Sequence, residues 1–231
     1  GALHGVANSS GEIVWTNRRS VPSLSLRGTS SPVVDNDLVL TGMANGRMLA
    51  LSILDGRVVW EAPIGVPQGR TELQRMTDVD AKPLVDGGLI YAAAYQGRVA
   101  AVARETGRIL WARDISAYSG MDLDNEGSLF VGDEKSQLWG LDRGNGATLW
   151  VQDKLRARHL TAPAHIQDYI VVGDFEGYVH VLSTIDGRLL GRKRYDDEGY
   201  ITPAIVDGDT VFMLDREGEL TAFQLQANKP S

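Results

Sequence analysis

The chain has 231 residues, 43% hydrophobic and 23% charged, enough to bury a sizeable core and too apolar for intrinsic disorder. Its 23 basic and 30 acidic residues leave a formal charge of -7. That excludes a general nucleic-acid binder, because phosphate affinity comes from clustered Lys and Arg; the lack of any cysteine excludes disulfides, thiolate nucleophiles and cysteine-built zinc sites.

Gly1-Ala2-Leu3-His4 opens directly into structured-looking sequence with no signal-peptide pattern. That suits a cytosolic protein or one whose export segment lies outside the chain. No apolar run approaches the roughly 20 residues that span a bilayer. Leu3 to Trp15 reads as the last two strands of a repeat. The first whole copy follows: Pro32-Val33-Val34, Leu38-Val39-Leu40, Asn45-Gly46, Leu49-Ala50-Leu51, Asp55-Gly56-Arg57 and Trp60. Pro83-Leu84-Val85 begins the same series, through Leu89-Ile90-Tyr91, Gln96-Gly97, Val99 to Val102 and Thr106-Gly107-Arg108 to Trp111.

A degenerate copy comes next, with Leu129-Phe130-Val131, Leu138-Trp139-Gly140-Leu141, Asn145-Gly146 and Trp150; Lys135-Ser136 replaces its turn glycine. Another runs from Pro163 through Tyr169 to Val172, Glu176-Gly177, Val179-His180-Val181 and Asp186-Gly187-Arg188. Its Trp position holds Gly191, 28 positions after the Pro, as Trp60 follows Pro32. Thr202-Pro203 to Phe223 supplies only the first three strands of one more.

Short apolar stretches separated by Gly-containing turns are the signature of strands and hairpins, and four per copy make a small antiparallel sheet. Recurrence about every 40 to 50 residues matches the blades of a β-propeller, with the Trp of each fourth strand filling the wedge between neighbours. The expectation is an all-β propeller of four-stranded antiparallel blades, a single domain over 1–231. Its blades fall near 31–60, 81–111, 118–150 and 161–191, with partial ones at 1–15 and 201–225. The partial ends would either pair to close a five-bladed ring or belong to the later part of a larger ring. The opening in the middle of a hairpin favours the second.

Function is sought where the chain departs from the repeat. Two long connections do so, Thr16 to Ser31 and Glu61 to Lys82, both joining a fourth strand to the next first strand. Equivalent departure points should place them side by side on one rim. Alternation puts Leu24 and Leu26 on one side of an extended segment, and Asp78 and Asp80 on one side of another. An apolar anchor with charged neighbours suits a protein-binding patch. Alternatively, the leucines face the core of a first strand, and the aspartates cap turns or pair with Arg75 or Arg27. Carboxylates two apart also suit a Ca²⁺ loop, but no third and fourth oxygen ligand is suitably spaced.

Pro22-Ser23-Leu24-Ser25-Leu26-Arg27-Gly28, Thr71-Glu72 with Arg75, Asp78-Val79-Asp80, and Val172-Gly173-Asp174 with Glu176-Gly177-Tyr178 together resemble the BamB family over essentially the whole chain. These are propeller lipoproteins of the bacterial outer-membrane β-barrel assembly machine. The resemblance implies the C-terminal part of an eight-bladed ring, located in the periplasm. It also implies tethering to the inner face of the outer membrane by a lipidated cysteine absent from this chain. It implies a scaffold that binds the POTRA domains of BamA and assists insertion of outer-membrane proteins. Carried over from the family, Leu24, Leu26, Arg27, Asp78 and Asp80 are the contact residues. Exposed edge strands would also hold nascent barrel strands by β-augmentation.

The rival is a quinone-dependent dehydrogenase, which shares the Gly-Trp repeat but as a family uses a calcium ion and usually a vicinal cysteine pair, neither supported here. His4, His159, His165 and His180 are scattered without metal spacing, and no Gly-x-Ser-x-Gly elbow or phosphate loop is present. The expectation is therefore a non-enzyme without cofactor, metal or catalytic residue. A generic interaction propeller with another partner is the further alternative.

Overall fold

A computed structural model describes residues 2–19, 30–65, 77–195 and 197–225, and among them every regular element is a β-strand. The chain forms two compact units, residues 1–118 and 119–231. In the first, β1 (Ala2–Val6) and β2 (Ile13–Arg18) form a two-stranded sheet. Then β3 (Val33–Asp35), β4 (Leu38–Gly42), β5 (Arg47–Ser52) and β6 (Val58–Pro63) form one four-stranded sheet. A second comprises β7 (Leu84–Asp86), β8 (Leu89–Ala93), β9 (Val99–Ala103) and β10 (Ile109–Arg113).

The second unit contains β11 (Met121–Leu123), β12 (Ser128–Gly132), β13 (Leu138–Asp142) and β14 (Thr148–Gln152). These are followed by β15 (Ala164–Ile166), β16 (Tyr169–Gly173), β17 (Tyr178–Ser183) and β18 (Leu189–Arg194). It ends in the three-stranded sheet β19 (Ile205–Asp207), β20 (Thr210–Leu214) and β21 (Leu220–Gln224). Every sheet is an antiparallel meander in chain order, the blade construction that the repeat implies.

Burial follows strand position. The second strand β4 is buried at every residue, whereas the fourth strand β6 alternates buried and exposed. A middle strand is covered on both faces by the adjoining sheets, so its sequence is a continuous apolar run; an outer strand keeps one face in water. In the first unit Leu40 and Met48 share a core with Ile90 and Val102 of the next sheet. In the second unit Phe130 and Trp150 pack with Ile170 and Leu182, and Val171 and Val179 with Val211 and Met213.

The tryptophans make the joints. Trp15, Trp60 and Trp150 lie on Gly56, Gly107 and Gly187, the turn glycines before the fourth strand of the following sheet. Each indole also donates to a carbonyl of that same turn: Trp15 Nε1 to Ile53 O (2.8 Å), Trp60 to Arg104 O (2.7 Å) and Trp150 to Thr184 O (2.8 Å). Two demands meet on the glycine. Its φ is near +68°, where a side chain is strained, and a Cβ at Gly107 would overlap the Trp60 ring. Across the sheet the indole also needs room. Trp15 and Trp150 pair with Gly5 and Gly140, and Trp60 with Ala50. Where Gly191 takes the Trp position its cross-strand partner is the larger Val181, and Gly191 has open space around it.

Arg104 adds a polar latch between the two four-stranded sheets of the first unit. Its guanidinium reaches the Asp35 carboxylate (2.5 Å), Asp37 (2.7 Å) and Glu105 (2.6 Å), and also the Asp35 carbonyl (3.1 Å). At the position of Gly46 and Gly177, Ser136 adopts φ +63° without glycine, and Asp133 supports its turn by accepting the amides of Lys135 and Gln137.

Trp60→Ala should lower unfolding free energy by about 3–5 kcal/mol, since it removes a buried aromatic and leaves the Arg104 carbonyl without its donor. Leu54→Ala, at an 85% exposed turn tip, should stay within about 0.5 kcal/mol. Urea denaturation monitored by circular dichroism measures both.

Candidate functional site

In each sheet the turn between second and third strands and the connection out of the fourth strand lie at the same end of the strands. In the first unit, Thr77 to Asp80 threads between two such turns. Val79 N donates to Met43 O (3.2 Å), and Tyr95 N donates to Asp78 O (2.8 Å), making Asp78 and Tyr95 an isolated bridge. Below them Gly65 N donates to Gly46 O (2.7 Å). Val79 is fully buried against Gly42, where no side chain would fit, so the segment is wedged as well as hydrogen-bonded.

This placement bears on the two aspartates. Asp78 is fully buried, and although Asp80 as a residue keeps partial exposure, both of its carboxylate oxygens are buried. A buried carboxylate is not presented to a partner, so both aspartates suit holding the segment in place. Leu24, Leu26 and Arg27, with Thr71, Glu72 and Arg75, lie outside the described residues.

The same construction recurs in the second unit with different chemistry. Five residues before Pro83 stands Asp78, and five before Pro163 stands Arg158. Phe175 N donates to Arg158 O (3.1 Å) as Tyr95 N does to Asp78 O. A hydroxyl strut also recurs: Ser30 Oγ accepts from Gly42 N (2.7 Å), and Thr161 Oγ accepts from Gly173 N (3.0 Å).

Beneath Phe175 lies the ion-pair network of this unit. Asp174 Oδ1 accepts the amides of Glu176 (2.9 Å) and Tyr178 (3.0 Å). Its Oδ2 accepts from Arg158 Nε (2.5 Å) and His180 Nε2 (2.7 Å), while Arg158 Nη2 reaches Glu176 (2.8 Å). Burial pushes the Asp174 carboxyl up, but the hydrogen bonds from His180, Arg158 and the Tyr178 amide together hold it below the usual carboxylate range. Tyr178 carries three guanidiniums near its ring, Arg158, Arg192 and Arg194, at 5.1, 5.5 and 5.6 Å. An Asp–His pair invites a catalytic reading, but Asp174 and His180 are fully buried and no substrate reaches them. Among the described residues no group of three His, Asp or Glu is placed to hold a metal ion.

The scattered histidines give no hint in sequence that His180 pairs with Asp174. The missed signal is a spacing. Six residues after the turn aspartate, Trp139 donates to Asp133 Oδ2 (3.0 Å) in one sheet and His180 to Asp174 in the next. A groove of about 520 Å³ in the second unit lies elsewhere. Val179, Val181, Leu190, Gly191, Tyr195 and Phe223 line it, where Gly191 leaves a tryptophan's space open.

A family model described as outer membrane protein assembly factor BamB matches residues 1–152. Outer membrane protein assembly factor BamB of Alkalilimnicola ehrlichii is 46% identical over 205 residues, covering 89% of this chain and 53% of that protein. The crystal structure of BamB from Moraxella catarrhalis superposes with a TM-score of 0.89 at 29% identity, covering 97% of this chain and 67% of that one. A europium-containing methanol dehydrogenase superposes with a TM-score of 0.66 over 84% of this chain and 47% of its own. At 11% identity that likeness shows the fold alone. The chain spans about half the length of the curated relatives it matches.

Asp174→Asn should cost about 3 kcal/mol at neutral pH, because it leaves Arg158 and His180 without their carboxylate. The depressed pKa sets the sign. The stabilisation is complete above the ordinary carboxylate range and is lost as pH falls through the depressed value, so the gap between variant and wild type should close on acidification. Denaturation midpoints of both proteins across a pH series measure this.

Proposed function

Because the chain belongs to the BamB family of outer-membrane protein assembly factors, we propose that it docks a periplasmic partner through the wedged connections of its first unit. The partner in this reading is the POTRA array of BamA, the central barrel subunit. The setting is the periplasm, where the whole protein is tethered to the inner face of the outer membrane. The role is a non-enzymatic scaffold that assists insertion of outer-membrane proteins. The observation that carries it is the pinning of Asp78-Val79-Asp80 between the Met43 and Tyr95 turns. The family's distinctive acidic run thereby occupies a preorganised segment at one end of the strands, and preorganisation reduces the ordering cost of binding.

In this reading Leu24 and Leu26 supply the apolar anchor and Arg27 engages carboxylates or carbonyls of the partner. The two aspartates, with buried carboxylates, keep the segment in register with the neighbouring turns. Repeat-conforming residues serve the sheets that hold this segment.

Titration of this chain with isolated POTRA domains should give saturable binding that Leu26→Ala and Arg27→Ala weaken about 10-fold or more, as expected for interface hot spots. Asp78→Asn and Asp80→Ala should both lower stability and, by loosening the pinned segment, weaken binding. Binding unchanged by all four substitutions would remove the proposed site.

A further inference from the structure

The turn that aligns with Tyr95 in the second unit carries an exposed aromatic of its own. Phe175 is 47% exposed, although its backbone is clamped on both sides. Its amide bonds to Arg158 O (3.1 Å), and on the other side Tyr200 N donates to the adjacent Asp174 O (2.9 Å). Gly199, at φ +81°, passes so close that a Cβ there would overlap the Phe175 backbone. The equivalent residues of two other sheets are Ala44, which is buried, and Glu134, so the repeat does not require an aromatic here.

Two side chains frame the ring. Arg216, exposed and anchored through its own amide to Gly199 O (3.1 Å), holds its guanidinium 4.7 Å from the ring centroid. His159 meets the ring edge-on at 6.0 Å. Arg158 is committed to Asp174 and Glu176, whereas Arg216 joins no ion pair among the described residues. A guanidinium positioned by an aromatic face keeps its N–H fork available for a carboxylate, and a rigid ring beside it offers an apolar seat.

We propose that Phe175, Arg216 and His159 form a second docking point, which binds a protein surface presenting a carboxylate next to an apolar side chain. Its choice of partner rests on the reading above, because it is the repeat equivalent of the Asp78–Tyr95 site. Its chemistry differs. The loop position that is Asp78 in the first unit is Arg158 in the second, and Arg216 beside the ring is an exposed cation that joins no ion pair among the described residues. Charge complementarity therefore assigns this point an acidic patch of the partner.

The test is site-specific photocrosslinking with p-benzoylphenylalanine at position 175, at position 24, and at the exposed turn residue Leu54 as a control, using isolated POTRA domains as the probe. A crosslink from position 175 should map to an acidic patch of the probe. Arg216→Glu should reduce its yield about 10-fold, as for loss of a charged hot spot, while Arg216→Lys largely keeps it. Denaturation midpoints of both Arg216 variants should match wild type, because the side chain is exposed. A crosslink from position 24 but none from 175 overturns this inference and leaves the docking reading standing. Crosslinks from 175 that Arg216→Glu does not reduce, or that map to a basic patch, also overturn it. No crosslink from either position overturns both.

Discussion

Three joints between sheets of this chain stand on a tryptophan resting on a glycine. A fourth-strand indole covers the turn glycine of the following sheet and donates to a carbonyl of that turn, so one contact supplies both apolar burial and a satisfied polar pair. The glycine cannot change, because its φ is positive and the ring fills the space a Cβ would take. At these three joints the spacing is thereby set by the thickness of an indole, and sheets at that spacing bury the middle strands on both faces. The Arg104 latch ties the same two sheets near the turn that Trp60 covers.

The candidate site inherits its geometry from that regularity. Meanders of similar strand length put the second-to-third-strand turns and the outgoing connections at one end. A connection leaving a fourth strand then has neighbouring turns to bind. The carbonyl five residues before the proline accepts the amide of the turn aromatic in both units, as Asp78 with Tyr95 and Arg158 with Phe175. The backbone arrangement is conserved within the chain while the side chains invert in charge. In the proposed reading, binding specificity is carried by a few positions on a repeated frame, which a fold can vary at little cost to its core.

Much of the fold was legible because strand, turn and Trp positions recur at fixed spacing, and the observed sheets fall on those segments. The Trp packing was legible for the same reason. Other features depend on register or on contacts that no local pattern encodes. Ser136 takes the left-handed turn position without glycine, helped by the Asp133 carboxylate. His180 looks like an ordinary strand residue until the hairpin brings it onto Asp174. Alternation offers the carboxylates of Asp78 and Asp80 to a partner, yet both are buried. The bridge to Tyr95 and the wedging of Val79 draw the segment into the fold, which no local pattern encodes. The family resemblance pointed to Leu24, Leu26 and Arg27, which lie outside the described residues.

The central claim is that one end of the strands is the docking end. Hydrogen exchange of the chain, alone and with POTRA domains, tests it most directly. Slowed exchange is expected on binding at residues 77–80, 94–97 and 174–177, with no change at the opposite turns 53–56, 104–107 and 184–187. Protection confined to the opposite turns, or spread evenly over both ends, would contradict it.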